Sequence, residues 1–326
     1  MKLSLIVAVY NIETYIADCL SSCLDNDVRF HADYEVIVVN DGSTDGSLNV
    51  VNKYKDKYAN VRVITQNNGG LSAARNTGLR AASGDYIWFI DGDDKIAPGA
   101  IKTILNAIDY YKTDSYIVNY STFDDGDNQL SPQVFNLADE IFSPKNYMEK
   151  TLSFLPFMAW LTVFSKSVLI REQLCFKPGI LHEDVEFSVR AFSLVETCVH
   201  IKKSCYNYRL NRTGSIMCDM SGKMYKTALS YALIEDSWND FFNRNGVSHK
   251  IQRFAQAFIS QSFIFNYAGP EVLKNQPNQK TKKYYYKKIW AGYLDNKLRL
   301  ILFIILSRKQ FSKYFKAYNA YPPDSI

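Results

Sequence analysis

Residues 86–94 read YIWFIDGDD, in which five apolar or aromatic residues lead directly into three carboxylates with one glycine among them. A short apolar run bounded by turn residues is typical of a strand buried on both faces, as in a parallel sheet. Like charges this close repel one another. The carboxylates therefore either form a turn open to water or meet a cation, and these residues alone leave both interpretations open.

The segments before this stretch repeat the same arrangement. Strand-like runs LSLIVAV (3–9), YEVIVVN (34–40) and VRVIT (61–65) alternate with segments of helical spacing. The helices are predicted over 15–24, from the DGSTDGS turn to about residue 58, and over 71–82. This βαβα order predicts an α/β fold built on a mostly parallel sheet that is covered on both faces.

The rest of the chain has a different pattern. Strand candidates SYIVNY, AWLTVFS and SCYNYRL lie between residues 115 and 210, some expected to be antiparallel, with a short helix starting near Glu183. From about Gly222 the pattern is helical, with a stop at Gly246. Its apolar face is predicted at Tyr225, Leu229, Ala232 and Leu233. We predict an α/β domain over 1–215 and a helical C-terminal region over 216–326.

Composition and charge limit the class of protein. With 47% hydrophobic and 22% charged residues, the 326-residue chain can bury a large core and is not a disordered protein. A net charge of +5 indicates a local basic region and no nucleic-acid partner. Six cysteines without a CxxC pair predict reduced core thiols. The opening residues lack a signal cleavage site, so we expect a cytoplasmic protein.

Polar residues follow each predicted strand of the first half. They are Tyr10 and Asn11, Asn40 and Asp41, Asn67 and Asn68, and the cluster from Asp91 to Asp94. Because ligands bind beyond the carboxyl ends of parallel strands, we expect these loops to form one site. Asp91 and Asp93, with Gly92 allowing a sharp turn, could ligate Mg²⁺ or Mn²⁺. No glycine-rich phosphate loop is present, so phosphate binding is expected to depend on that cation.

Three further candidates each have a structural alternative. Asp41 could accept a hydrogen bond from a nucleotide base such as uracil, or form an Asx turn and cap a helix. Asn68 precedes two glycines and an electropositive helix start, which suits a phosphate ligand. Arg75 could face a nucleotide or pair with a carboxylate.

The later segments offer a base and a cation. Glu183 and Asp184 begin a helix, where they could supply a general base or only interact with the helix dipole, worth about 0.3–1 kcal/mol. His182 could orient that base, touch the metal or be structural. Arg212 follows a strand and could close over a diphosphate or lie in an ordinary polar connection.

Five segments together resemble the inverting glycosyltransferases of family 2, of the kind that build bacterial capsule, exopolysaccharide or O-antigen. They are VAVYN, EVIVVNDGSTDGS, NNGGLSAARNTGL, GDYIWFIDGDD and HEDVEF, in that order. The resemblance covers about the first two-thirds of the chain. It implies the GT-A fold, with 1–115 as the nucleotide-sugar half and 116–215 as the acceptor half.

The resemblance also implies roles for individual residues. Ala8, Tyr10 and Asp41 correspond to the nucleotide-base site, and Asp91 and Asp93 to the family's DxD pair. Asp93 is then the direct metal ligand, and Asp91 lies closer to the ribose. Asp184 corresponds to the catalytic base, supported by Glu183. Asn68, Arg75, Gly92 and Arg212 complete the predicted donor site.

The sequence departs from the family at two points. Ala8 replaces the usual proline, which should matter little. The segment MAWLTVFSKSVL matches the family's tryptophan segment at Trp160 but lacks the polar residues that customarily follow. The acceptor site is therefore less well defined than the donor site.

These observations predict a metal-dependent inverting transferase that moves a sugar from a UDP-linked nucleotide sugar to a hydroxyl of a glycan or lipid-linked glycan. Two alternatives are a sugar nucleotidyltransferase, which would normally have a glycine-rich loop where AVYNIETYI stands, and a non-catalytic glycan or membrane interaction protein with a disabled transferase core. The products that form from nucleotide sugars or their precursors distinguish the three.

The C-terminal stretch LRLILFIIL (298–306) is too short to span a bilayer, which needs about 20 apolar residues. Basic residues flank it and aromatic residues lie nearby. This pattern suits the anionic surface of the cytoplasmic membrane face, or a core helix of the C-terminal region.

Overall fold

The computed structural model describes residues 1–24, 32–126, 129–133, 137, 140–151, 156–210, 212, 224–249, 251–256 and 258–259. The strands are β1 (Leu3–Val9), β2 (Tyr34–Asn40), β3 (Val61–Thr65), β4 (Tyr86–Asp91), β5 (Lys95–Ile96), β6 (Ser115–Phe123), β7 (Gln129–Gln133), β8 (Ile141–Phe142), β9 (Thr162–Ser165) and β10 (Cys198–Arg209). The helices are α1 (Glu13–Cys23), α2 (Ser47–Lys57), α3 (Leu71–Ala81), α4 (Ala100–Tyr111), α5 (Pro144–Lys150), α6 (Lys166–Arg171), α7 (Glu183–Leu194) and α8 (Met224–Asn245).

The first half is the predicted parallel sheet. Strand order is β3-β2-β1-β4, and all three pairings are parallel. Every residue of β1 and β2 is buried, which explains why both read as unbroken apolar runs. In register, Ala8 lies opposite Asp91 and Val9 lies opposite Asn40. The loops after these strands therefore start at the same edge.

The second half continues the sheet with mixed pairing, as predicted. β9 is antiparallel to both β4 and β6, β10 is parallel to β6, and β5 is antiparallel to β10. The first residues of AWLTVFS form a 3₁₀ turn, Ala159–Leu161, and only the rest is strand. α7 extends over 12 residues and is longer than expected. The carboxyl end of β10 lies beside the turn that follows β4.

The helical C-terminal pattern is confirmed for α8, which ends at Asn245 before Gly246. The apolar face predicted for it is wrong at Leu233, which is exposed, because the buried face carries Tyr231, Ile234 and Trp238. The side chains of Tyr225, Leu229 and Ala232, the other residues of the predicted face, lie outside the described residues.

Two compact units divide the chain at residue 255, Met1–Ala255 and Gln256–Ile326, and α8 belongs to the first. The boundary predicted near residue 215 remains a prediction. In the part of the chain that is described, no helix is both long and apolar enough to cross a membrane. The stretch LRLILFIIL and its basic neighbours lie outside the described residues, so their association with a membrane surface also remains a prediction.

Candidate functional site

The turn after β4 is held against the first strand. The chain turns at Gly92 as expected, with the Asp94 N–H donating to the Asp91 carbonyl at 3.0 Å, but Gly92 is not among the described residues with positive φ. It is required for space instead. A Cβ atom on Gly92 would lie 2.5 Å from Cδ1 of Ile12 and 2.8 Å from the backbone oxygen of Ala8. The turn that carries the carboxylates thus packs closely against the end of β1.

Asp94 differs from the other two carboxylates of the turn. Its side chain is buried and accepts hydrogen bonds from the Tyr206 hydroxyl at 2.7 Å and the Arg209 backbone N–H at 2.7 Å. Burial, followed by the charges of Asp93 and Asp91, raises the pKa of Asp94 well above its usual value. Asp94 therefore fixes the turn to β10, and the site carboxylates are Asp91 and Asp93.

Arg75 joins the two acidic segments of the site. Its Nη2 lies 2.6 Å from Oδ1 of Asp91, and its Nη1 lies 2.9 Å from Oε1 of Glu183. Burial lowers the pKa of Arg75, but Asp91 and Glu183 outweigh burial and raise it above its usual value. Of the two interpretations of Arg75, the ion pair with carboxylates is the one found, and it connects β4 with α7.

Asp93 faces a different arginine. Its carboxylate forms a close ion pair with Nε of Arg212, and both side chains are partly exposed. Burial and then the charge of Asp91 raise the pKa of Asp93, while Arg212 lowers it. Arg212 thus lies at the carboxylates where a diphosphate was predicted.

The residues fit a divalent cation only together with a ligand. Asp91 and Asp93 each have one oxygen in an ion pair, and a carboxylate has about four lone-pair positions, so both retain acceptor positions. Among the described residues, no group of three or more His, Cys, Asp or Glu side chains could hold a metal. A cation here would complete its shell with water and phosphate oxygens, as Mg²⁺ commonly does.

Asp184 lies in the first turn of α7, next to Glu183. Its Oδ1 accepts a hydrogen bond of 2.8 Å from the Val185 N–H. Burial and then the charge of Glu183 raise the pKa of Asp184 to about 7, with Arg75 acting in the opposite direction. A carboxyl with a pKa near neutrality can hold and release a proton at physiological pH.

The Asp41 side chain holds the loop before α3 by hydrogen bonds. Its carboxylate accepts hydrogen bonds from Nε2 of Gln66 at 2.7 Å, from the Gly69 N–H at 2.9 Å and from the Gly70 N–H at 2.7 Å. The exposed Asn68 side chain also accepts from the Gly70 N–H at 3.2 Å. The carboxylate thus holds the loop across from its own strand, and neither α2 nor α3 has a side-chain cap, so the Asx turn and helix cap expected as the alternative for Asp41 are not what is found. Its Oδ2 keeps a lone pair for a further donor.

Ala8 and Tyr10 occupy the end of β1 between these loops. Ala8 is opposite Val39 on one side and Asp91 on the other. Tyr10 follows the strand with a side chain that is 47% exposed, which leaves it open above the edge of the sheet. The carboxyl ends of three adjacent strands, β1, β2 and β4, thus carry Ala8, Tyr10, Asp41 and Asp91.

Sequence reasoning missed the supports that β10 gives to this site. The Tyr206 hydroxyl accepts from the Asp91 N–H at 3.1 Å in addition to donating to Asp94. The Arg209 guanidinium lies between the rings of Phe123 and Tyr15, at 4.5 and 4.9 Å from their centroids, and its Nε donates to the Asp93 carbonyl. In the sequence, the alternation of side chains along YNYR (206–209), which puts Tyr206 on the inward face of the strand, is the signal that could have revealed these supports.

Trp160, matched to the acceptor side of the family, packs inside the protein. Its ring stacks on Tyr206 and Tyr208 and meets the edge of Tyr120. The side chain is 3% exposed. Trp160 therefore supports β10 and the turn rather than presenting a ring face to a sugar.

Comparison with known proteins decides the family. The sequence model described as "Glycosyl transferase family 2" matches residues 4–171, about half of the chain. The chain belongs to family 2 of the glycosyl transferases. The match includes the ends of all four parallel strands and the carboxylates of the turn, and it stops before α7.

Curated relatives align with about two-thirds of this family 2 chain. The glycosyltransferase GlyA of Streptococcus pneumoniae is 33% identical over 226 residues, 66% of this chain and 31% of GlyA. The putative glycosyltransferase EpsH of Bacillus subtilis is 33% identical over 233 residues, 70% of this chain and 66% of EpsH. The alignments thus span less than two-thirds of the length of either relative.

Solved structures confirm the predicted GT-A fold. The structure of S. aureus TarS 1–349 in complex with UDP-GlcNAc superposes with a TM-score of 0.68 at 22% identity, over 87% of this chain and 79% of that one. A mannosyltransferase from Pyrobaculum calidifontis, in complex with GDP-Man and Mn²⁺, gives 0.51 at 15% identity, over 90% and 87% of the two chains.

Proposed function

We propose that this chain transfers a sugar, with inversion, from a UDP-linked donor to a hydroxyl of a glycan or lipid-linked glycan in cell-surface polysaccharide synthesis. Asp184 is the general base, Glu183 supports it, and Asp91 and Asp93 hold the donor through Mg²⁺ or Mn²⁺. Tyr10, Ala8 and Asp41 surround the base of the nucleotide.

One observation carries the proposal. Arg75 is buried and contacts both Asp91 and Glu183, so one of the two donor carboxylates and the residue next to the candidate base share one counterion. A donor held at Asp91 and an acceptor hydroxyl held at Asp184 would therefore meet within one site. Near-attack placement of two reactants contributes much of the rate enhancement in such reactions.

The proposed chemistry needs one base. Asp184 accepts the proton of the acceptor hydroxyl as the oxygen attacks the anomeric carbon, and the bond from that carbon to the diphosphate breaks. The nucleoside diphosphate leaves with the bonding electron pair. Because the attack is a single displacement from the opposite face, the anomeric configuration inverts. General base catalysis of this kind contributes about 10²–10⁴-fold.

Asp91 and Asp93 would hold the divalent cation. When bound, the cation supplies Lewis-acid stabilisation of the charge that develops on the diphosphate. The raised pKa of Asp93, caused by burial and Asp91, indicates that a positive charge beside this pair is favourable. Arg212, already paired with Asp93, adds a fixed positive charge at the same place.

The choice of donor and acceptor is supported by the relatives. TarS has been solved with UDP-GlcNAc, and a region of 103 residues is 48% identical to a poly(ribitol-phosphate) beta-glucosyltransferase of Bacillus spizizenii. These properties belong to those proteins. They support a UDP-sugar donor and a cell-wall or capsule glycan as the acceptor class for this chain.

Asp184→Asn tests the proposal. The variant should lose transfer by about 10²–10⁴-fold, while calorimetric affinity for a UDP-sugar in MgCl₂ or MnCl₂ stays within about twofold, since the amide has the same shape. Asp109→Asn, an exposed aspartate on α4, is the matched control and should keep full turnover. Full turnover by Asp184→Asn would refute the base assignment.

A screen of nucleotide-sugar donors separates the proposed transferase from a nucleotidyltransferase and from a non-catalytic protein. Purified protein is incubated with a panel of nucleotide sugars, with and without acceptor extract, and nucleoside diphosphate release is measured. A transferase releases diphosphate. Pyrophosphate release from a nucleoside triphosphate and a sugar phosphate would instead indicate a nucleotidyltransferase, and no release from any donor would indicate a non-catalytic protein.

A further inference from the structure

His182, the residue directly before the acidic pair of α7, has an unusual backbone. It has φ 61° and ψ 39°, the left-handed region, and it is not a glycine. A non-glycine residue in this region is strained and persists only where its surroundings hold it. The direction in which Glu183 and Asp184 leave the loop depends on this conformation.

Helix α8 supplies contacts that hold His182 in this conformation, on the side before the acidic pair. The Leu181 N–H donates to Oγ of Ser230 at 2.9 Å. The His182 ring stacks on the Tyr231 ring, with centroids 5.0 Å apart and planes 14° apart. Burial lowers the pKa of His182, so the ring that Tyr231 covers is neutral near pH 7. Ser230 and Tyr231 are both buried.

The same helix also holds Glu186, two residues after the pair. Glu186 is fully buried, and its Oε1 accepts a hydrogen bond of 2.6 Å from Oγ of Ser237. Its backbone carbonyl accepts a hydrogen bond of 3.0 Å from Nε1 of Trp238. Because 230, 231, 237 and 238 recur at helical spacing, one face of α8 makes all four contacts. These contacts hold residues 181, 182 and 186, and so fix the chain on both sides of the acidic pair Glu183–Asp184.

Neither the family match nor the resemblance accounts for this arrangement. The matched region ends at residue 171, and the last resembling segment, HEDVEF, ends at Phe187. α8 begins at Met224. The helix that supports the acidic pair thus lies C-terminal to the region matched by the family model and to the last segment that resembles the family.

We propose that α8 positions the catalytic base, with Ser230 and Tyr231 as the positioning residues that hold 181–182 and so aim the Asp184 carboxylate at the acceptor. The inference rests on the proposed function, in which Asp184 is the base. Tyr231 and Ser230 touch neither reacting group and act through the backbone of the loop.

Tyr231→Ala in the full chain is the test. Removal of the ring leaves His182 without its cover and lets the strained loop relax. Because a displacement of about 1 Å can cost about 10²-fold in rate, we expect kcat to fall about 10–100-fold. The donor Kd, measured by calorimetry with UDP-sugar and Mg²⁺ or Mn²⁺, should stay within about twofold, since Asp91 and Asp93 lie on β4 and its turn.

Two comparison variants separate positioning from loss of stability. Tyr231→Phe keeps the ring that covers His182 and should restore kcat to within about twofold of the parent. Phe142→Ala removes an equally buried ring from β8, which pairs with the opposite end of β10 from the site. It should lower the melting temperature and leave kcat unchanged.

The outcomes are distinct. If Tyr231→Ala is folded by circular dichroism and keeps parental kcat, or if its loss of kcat is matched by Phe142→Ala, the positioning role is overturned while the base assignment stands. If Tyr231→Ala does not fold, Ser230→Ala replaces it, and a parental kcat in that variant likewise overturns the role. Parental turnover by Asp184→Asn overturns the proposed function and the positioning role with it.

Discussion

The guanidinium of Arg75 lies 2.6 Å from the carboxylate of Asp91, on a side chain that is 3% exposed. Its other nitrogen reaches Glu183, so the charge is shared by two elements that are far apart in sequence. Arginine suits this position because its planar, permanently charged fork serves two carboxylates at once. The pair therefore fixes how the turn after β4 and the start of α7 meet.

Arg75→Met should be strongly destabilising, because it leaves two partly buried carboxylates without the buried counterion that they share. Breaking a buried pair by removing one partner typically costs about 3–5 kcal/mol. Urea unfolding followed by circular dichroism measures the change. Arg171→Met is the control, since the Arg171–Glu172 pair is exposed and should contribute less than about 1 kcal/mol. Equal stability of the two variants would contradict the role of Arg75.

Activity should rise with pH through about 7, where the raised pKa of Asp184 lies. The base is the deprotonated form, so kcat/KM should fall about tenfold per pH unit well below the inflection and level off above it. Glu183→Gln removes a charge that raises this pKa, and should move the inflection to lower pH. The measurement is donor turnover between about pH 5 and 9. A flat profile, or an upward shift in Glu183→Gln, would count against Asp184 as the base.

Gly92→Ala should weaken donor binding. The new methyl group would meet Cδ1 of Ile12 at 2.5 Å and the Ala8 oxygen at 2.8 Å, and a backbone oxygen cannot move aside cheaply. The turn that carries Asp91 and Asp93 must shift, so we expect at least a tenfold loss of calorimetric affinity, about 1.4 kcal/mol.

Gly246→Ala provides the comparison for Gly92. Gly246 has φ +59°, and no described atom lies within 4 Å of the position that a Cβ would take, so alanine strains the backbone there without a collision. It should lower stability by about 1 kcal/mol and leave donor affinity unchanged. Unchanged affinity in both variants would show that the fit around Gly92 is not needed.

Tyr206→Phe should loosen the turn while keeping the stacked ring. The hydroxyl donates to Asp94 and accepts from the Asp91 N–H, and its loss leaves both buried groups short of a partner. We expect about 1–3 kcal/mol of destabilisation. Tyr110→Phe, on a side chain that is 79% exposed, should be neutral. Thermal melts of the two variants decide the matter, and identical curves would contradict the role assigned to the Tyr206 hydroxyl.

Local pattern was enough for much of the fold. The four strand-like runs that became β1 to β4, the helices between them and the polar residues at their ends follow from side-chain periodicity and turn chemistry, which act over a few residues. The convergence of Tyr10, Asp41 and Asp91 at one edge then follows from parallel pairing. Gly92 was recognised as special, although the reason is close packing and not backbone freedom.

The sequence by itself determined the parallel half of the sheet, the edge at which its acidic residues gather and the candidate base, because each depends on neighbours in the chain. Only the tertiary structure decided that Asp94 is a structural acid, that Arg75 pairs with Asp91 and Glu183, and that α8 covers His182. These contacts join residues separated by 112 positions for Asp94 and Tyr206 and by 108 for Arg75 and Glu183. No local period encodes such partners, because burial and pairing over that range depend on how the finished layers pack.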